Sequence, residues 1–272
     1  MFDFFSAVIE YQFMQYALLA CLLASLGCGV VGTYVVVKRI SFLTGGISHT
    51  VLAGMGIAYY FQGSPVVGAV VAALLTAILI GWIKLRWRQD EDVLIAAFWS
   101  VGMAIGILFI SKTPGYNTDL MSYLFGNILL VSKRDLVLMA TLDIVVITTV
   151  YACYKQFLAA TFDEEFARLR GVNVEAYYIL LLCMIALTIV LLIQIVGVIL
   201  VMALLILPAA SAVQFSNSLP RMMLIAALLS ILITSTGLML SYQPDLPSGA
   251  TIIVVAGVVY FLSIVCRRFI KT

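Results

Sequence analysis

Lys38-Arg39-Ile40-Ser41-Phe42-Leu43-Thr44-Gly45-Gly46-Ile47-Ser48-His49-Thr50-Val51-Leu52-Ala53-Gly54-Met55-Gly56-Ile57-Ala58-Tyr59-Tyr60 carries the only histidine of the protein. His49 lies ten residues after Arg39 and ten before Tyr59. Ten helical residues cover about 15 Å, which is half of a hydrocarbon core of about 30 Å. With Arg39 and Tyr59 near the two interfaces, the imidazole falls near mid-depth. Gly46, Thr50, Gly54 and Ala58 recur every fourth residue, so one helix face is small, and small faces let backbones approach closely in lipid. Gly45, His49 and Ala53 form the neighbouring row. The pattern predicts an imidazole aimed into a packed bundle or a path between helices, and not at lipid.

The remainder of the chain supports a membrane setting. Hydrophobic residues make up 64% and charged residues 10%, with a mean hydropathy of +1.17, whereas soluble domains carry about 25% charged residues. The expectation is an all-α, polytopic transmembrane bundle forming a single domain over 1–272, with no separate soluble part. The net charge of +2 gives no footprint for nucleic acid. Residues 1–13 lack the basic start of a cleavable signal peptide and carry Asp3 and Glu10. The five cysteines (Cys21, Cys28, Cys153, Cys183 and Cys266) all fall in apolar segments without a CxxC. Cys21 and Cys28 stand about 10 Å apart along a helix axis, too far to bridge. All five read as small apolar packing residues.

Apolar runs of about 20 residues place spans at about 14–37, 41–61, 66–83, 93–110, 135–154, 176–195, 196–213, 222–242 and 249–266. The stretch 111–134 and the junction at 195–196 are the places where a re-entrant or split helix would reduce nine spans to eight. With the basic tail inside, twelve of the fifteen Lys and Arg residues fall on the same side, as the positive-inside rule demands. The N-terminus is then outside.

Three features carry chemistry. His49 can bind a divalent transition metal as neutral imidazole, and ionisable residues inside membranes mark functional sites by default. Its bland alternative is a histidine bonded to a neighbouring helix. A lone ligand makes no metal site, so oxygen or nitrogen partners must come from elsewhere. Asp143 lies eight residues into the fifth span, where a carboxylate is costly without a partner. It reads either as a second ligand or as an acid bonded to Ser, Thr or Gln of another helix. The run from Phe162 to Val174 reads as a short surface helix, with Asp163 as N-cap, Glu164 and Glu165 in the first turn, Ala167 inside it, Arg168 and Arg170 near its end and Gly171 as the stop. On the cytoplasmic side such a helix suits a docking partner, or serves only as a solvated connector. No Gly-Lys pair occurs anywhere, so the chain has no P-loop. HExxH and GxSxG are also missing, so an enzyme is not expected.

At this point the chain resembles the permease subunits of bacterial manganese, zinc and iron ATP-binding-cassette importers, the ABC-3 family. Ile47-Ser48-His49 with Gly54 is similar to its "DAISHAVLPG" segment. Tyr123 to Leu130 is similar to "ILFGNIL", Phe162 to Gly171 to "SFDELLAKAMG", Val196 to Ala210 to "VGTILIVAMLITPAA", and Asp245 with Gly249-Ala250-Thr251-Ile252 to its final D-x-P-x-G-A-T-I run. The resemblance covers nearly the full length. It implies a type II importer-like permease of about eight helices, homodimeric or pseudo-dimeric, in the bacterial inner (cytoplasmic) membrane. Two cytoplasmic ABC ATPases would dock on the coupling helix at Asp163 to Gly171, and an extracytoplasmic metal-binding protein would deliver the ion. No cofactor is held permanently, and the divalent ion is cargo. One departure stands out: the family places Asp four residues before the histidine, and this chain has Gly45. Another residue, with Asp143 the candidate, must supply the oxygen, or the path is less tuned to a hard ion such as manganese. The rival readings are a permease for a larger metal chelate of the siderophore or cobalamin type, a stand-alone ion-coupled carrier, and an intramembrane enzyme.

Overall fold

The structure, a computed structural model, describes residues 2–87, 90–113, 126, 128–242, 244 and 246–270. Among these the regular structure is entirely helical. The helices are α1 (Phe2–Glu10), α2 (Gln12–Val37), α3 (Ser41–Tyr60), α4 (Pro65–Trp87), α5 (Glu91–Ser111), α6 (Lys133–Ala152), α7 (Tyr154–Phe162), α8 (Glu164–Leu169), α9 (Val174–Phe215), α10 (Leu219–Tyr242) and α11 (Ser248–Ile270), with a 3-10 turn at Ile128–Leu130. The chain gathers into two compact units. One is built from Met1–Arg39, Asp119–Val145 and Leu191–Thr272, the other from Ile40–Thr118 and Val146–Val190.

Eight helical segments among the described residues are long and apolar enough to cross a membrane. The ninth expected span, α3, has the length but not the composition, because Ser41, Thr44, Ser48, His49 and Thr50 dilute it. Protein surrounds it instead of lipid: residues 43–48 and 51–56 are all buried, and α4 and α5 pack along it. Its hydroxyls turn inward on their own backbone, Ser48 donating to the Thr44 carbonyl at 2.6 Å and Thr50 to that of Gly46 at 2.7 Å. Such local bonds satisfy a polar group where water is excluded.

The boundary expected at 195–196 is no loop. It lies inside α9, whose 42 residues would run about 63 Å if straight, twice the hydrocarbon thickness. The helix bends at Gly197, whose φ of 75° and ψ of 168° belong to a region open essentially to glycine alone. Gly126, also at positive φ, packs its backbone on Val196 and Gly197, leaving no room for a Cβ. The other glycine-bearing matches fall partly elsewhere: residues 123–125, 127 and Asp245 lie outside the described residues.

In the same unit α2 packs against α10, and α10 against α11. A Cβ on Gly29 would strike Ala227, one on Gly32 the Leu205 carbonyl, and one on Gly237 Ile252. Helix association in lipid depends on such contact because the tails are as apolar as the side chains. Four cysteines fit the packing expectation in being buried or half-buried, but Cys266 is exposed on α11. Outward-facing Val71, Leu75, Ile78 and Leu79 of α4 end at Trp82 and Trp87, ring centroids 5.3 Å apart, beside Lys84 and Arg86. Aromatic and basic residues together mark a membrane interface.

The α3–α4 crossing is the tightest in its unit. A Cβ on Gly54 would collide with the Gly68 carbonyl, and one on Gly68 with the Gly54 carbonyl and Ala58. Gly54→Leu is therefore expected to cost about 1–3 kcal/mol by overpacking, read as a lower unfolding midpoint in detergent. Gly257→Ala, where a Cβ meets nothing within 4 Å, is expected to leave the midpoint unchanged or slightly raised.

Candidate functional site

The small row on α3 does two separate jobs. Gly46 and Thr50 face α5: a Cβ on Gly46 would lie 2.7 Å from Ile95 Cγ2, and one on Gly102 the same distance from Thr50 Cα. The Thr50 hydroxyl also donates to the Phe98 carbonyl at 3.1 Å. Gly54 and Ala58 face α4 through Gly68. Held from both sides, α3 has no freedom to rotate. His49 and Thr50 are the half-buried break in the middle of an otherwise buried run.

His49 lies flat against Trp99 of α5, with ring centroids 4.3 Å apart and planes inclined by 16°. Phe42, about two helical turns before it, reaches the same indole at 6.0 Å. Stacked pairs of this kind contribute about 0.5–1.5 kcal/mol beyond their buried area. The imidazole Nδ1 is buried, and no group among the described residues is hydrogen-bonded to it. Gly45, one turn before His49, is itself buried in the helix. Trp99 was not legible as a site residue, because an aromatic inside an apolar span reads as packing or lipid contact.

Asp143 is 3% exposed, and neither carboxylate oxygen has a hydrogen-bond partner among the described residues. The bonded acid of the sequence reading is not seen among the described residues. Cys28 of α2 lies within electrostatic reach of it. His49 and Asp143 belong to different units. Among the described residues no group of three or more His, Cys, Asp or Glu is gathered that could hold a metal ion.

The surface helix is α8. Asp163 caps it, Oδ1 accepting from the Phe166 N–H at 2.8 Å, with Glu164 and Glu165 in the first turn. Both acids sit where the helix dipole favours negative charge. Ala167 is fully buried among Ala160 and Val174, which pins α8 to α7 and the start of α9. Gly171 closes it at φ 77°, and the Val172 N–H bonds back to the Ala167 carbonyl at 3.0 Å. Arg168 pairs with Glu175 at 3.4 Å, and the Asn173 side chain accepts from the Ala176 N–H at 3.1 Å to cap α9. Two apolar side chains are exposed on this corner among the charges of Glu164, Glu165, Arg168 and Arg170: Phe166 is 48% and Leu169 87% exposed.

These features meet in a known family. Residues 10–267 match the model of the ABC 3 transport family. The chain belongs to that family. It is 45% identical over 260 residues to an uncharacterized membrane protein of Synechocystis, covering 96% of this chain and 92% of that one. It is 34% identical over 260 residues to the manganese transport system membrane protein MntC of Halalkalibacterium halodurans, covering 96% and 89%. Among solved structures it resembles PsaBC from Streptococcus pneumoniae in complex with Fab, with a TM-score of 0.87 and 31% identity over 96% of this chain and 94% of that one. The ABC 3 chain is a membrane protein of helical permease architecture.

An unpaired buried carboxyl costs stability, about 1–3 kcal/mol for a polar group without a bond. Asp143→Leu is accordingly expected to raise the unfolding midpoint of the metal-free protein in detergent, even though it removes a candidate transport contact. A lowered midpoint would mean that Asp143 is held by a bond of its own.

Proposed function

We propose that the chain is the transmembrane permease subunit of an ATP-driven importer for a divalent transition-metal ion: zinc, manganese or iron. The observation that carries this reading is a single imidazole, half-buried in the middle of a helix that α4 and α5 clamp by backbone contact. A nitrogen donor suits ions softer than magnesium or calcium. A lone donor also suits transport, where a site must release what it binds. His49 makes one passing contact through its imidazole, and Asp143 offers a carboxylate as a separate contact in place of the acid that Gly45 removes. The manganese transport label of relatives such as MntC supports the ion class.

Power and delivery come from other chains. The exposed Phe166 and Leu169 of the capped α8 form the apolar knob that a cytoplasmic ABC ATPase takes into its groove. Because Ala167 and the turn at Gly171 lock α8 to the start of α9, a push on that knob is passed to a membrane-crossing helix. A second copy of the permease completes the path as a homodimer in the bacterial cytoplasmic membrane. An extracytoplasmic metal-binding protein feeds it from outside.

Reconstitution with the ATPase in proteoliposomes tests the reading. Uptake of radioactive zinc, manganese or iron is expected to require ATP, and His49→Ala is expected to lower it by about tenfold, or ~1.4 kcal/mol. No ATP-dependent uptake of any of the three ions would refute it. Phe166→Ser with Leu169→Ser is expected to release the ATPase on gel filtration and abolish uptake while leaving the permease folded.

A further inference from the structure

We propose that Trp99 is a positioning residue for the ion contact: its indole face fixes the plane of the His49 imidazole and so aims the donor nitrogen at the passing cation. The proposal rests on the reading of His49 as a metal contact. Its starting point is a missing group. A histidine that ligates a metal almost always gives its second ring nitrogen to a carboxylate, carbonyl or water, and that bond orients the ring. Here Nδ1 is buried, and no protein group among the described residues bonds to it. The residue one turn earlier is Gly45, which has no side chain to bond with.

Something else must hold the ring, because an imidazole otherwise turns about two single bonds. The stack on Trp99, at 4.3 Å and 16°, is the contact that does so. An imidazole lone pair lies in the plane of its ring. A stacked partner covers a face and leaves the edges free, so it sets the direction of donation without competing for the ion. The indole is itself held. It sits on α5, whose backbone is tied to α3 one residue away through the Thr50 hydroxyl and the Phe98 carbonyl, 3.1 Å. Gly102 and Gly46 bring the two helices together on either side of the pair. Since Nδ1 is buried while the residue as a whole is half-exposed, the ring is open at its other atoms. The structure therefore assigns ion contact to Nε2.

The test uses the assembled transporter in proteoliposomes, with whichever of zinc or manganese it carries. Trp99→Leu removes the flat face, and Trp99→Phe keeps one. For Trp99→Leu the uptake KM is expected to rise about tenfold, the low end for lost outer-shell support, with the maximal rate little changed, and Trp99→Phe is expected to restore most of the KM. A spectroscopic arm is independent of turnover. The protein has three tryptophans, and Trp82→Phe with Trp87→Phe leaves Trp99 as the permease's single indole. Zinc titration is expected to change its emission, taken as the difference from the matching Trp99→Phe protein, and His49→Ala is expected to erase that change. The proposal is overturned if Trp99→Leu keeps the parental KM, if Leu and Phe lower the maximal rate equally with KM unchanged, or if the zinc response persists without His49. Normal uptake by His49→Ala would instead overturn the ion contact beneath it, so the two failures are distinguishable.

Discussion

Backbone contact between α3 and its neighbours is the constraint on which the remainder depends. In hydrocarbon, apolar side chains gain nothing by leaving lipid for each other, so helices stay together by close fit and by short hydrogen bonds. Gly54 against Gly68, Gly46 against Ile95 and Gly102 against Thr50 provide that fit. The Thr50 hydroxyl, shared between the Gly46 and Phe98 carbonyls, adds the bond. Because both sides of α3 are gripped, a polar helix that lipid would reject is kept at membrane depth. In that setting a single histidine is held half-buried in the middle of the helix.

The same reasoning separates what was legible from what was not. Spans announced themselves by apolar length, and the capped α8 by local chemistry, since Asp163, the paired glutamates and Gly171 act within one or two turns. The small face of α3 was readable from its four-residue spacing, but not the division of labour within it, with Gly46 and Thr50 on α5 and Gly54 and Ala58 on α4. The bend in α9 was hidden because Gly197 sits in an unbroken apolar run: its positive φ costs no polar residue and leaves no mark in hydropathy. The short α1 and α7 were missed because each is a turn or two of mixed composition. Trp99 was invisible for a different reason. Its role is defined by what it faces across a helix pair, and no property of residues 98–100 encodes that.

Asp143 and His49 show two ways of holding a polar group in a membrane. The imidazole is oriented by a ring face and stays partly open. The carboxyl is enclosed, with neither oxygen bonded among the described residues, at a cost to the stability of the fold. A carrier gains from such imperfect sites, because a fully coordinated ion would not leave. The rigid corner at α8 is the opposite design. There Asp163 caps the helix, the turn at Gly171 closes it and Ala167 is sealed, which suits the coupling role proposed for it.

The central claim is that the ring on α3 touches the cargo. X-ray absorption at the zinc edge, on the assembled transporter loaded with zinc and trapped before release, measures this directly. The account predicts a nitrogen scatterer at about 2.0–2.1 Å with the outer-shell pattern of imidazole, lost in His49→Ala. A shell made only of oxygen scatterers, identical with and without His49, would contradict it.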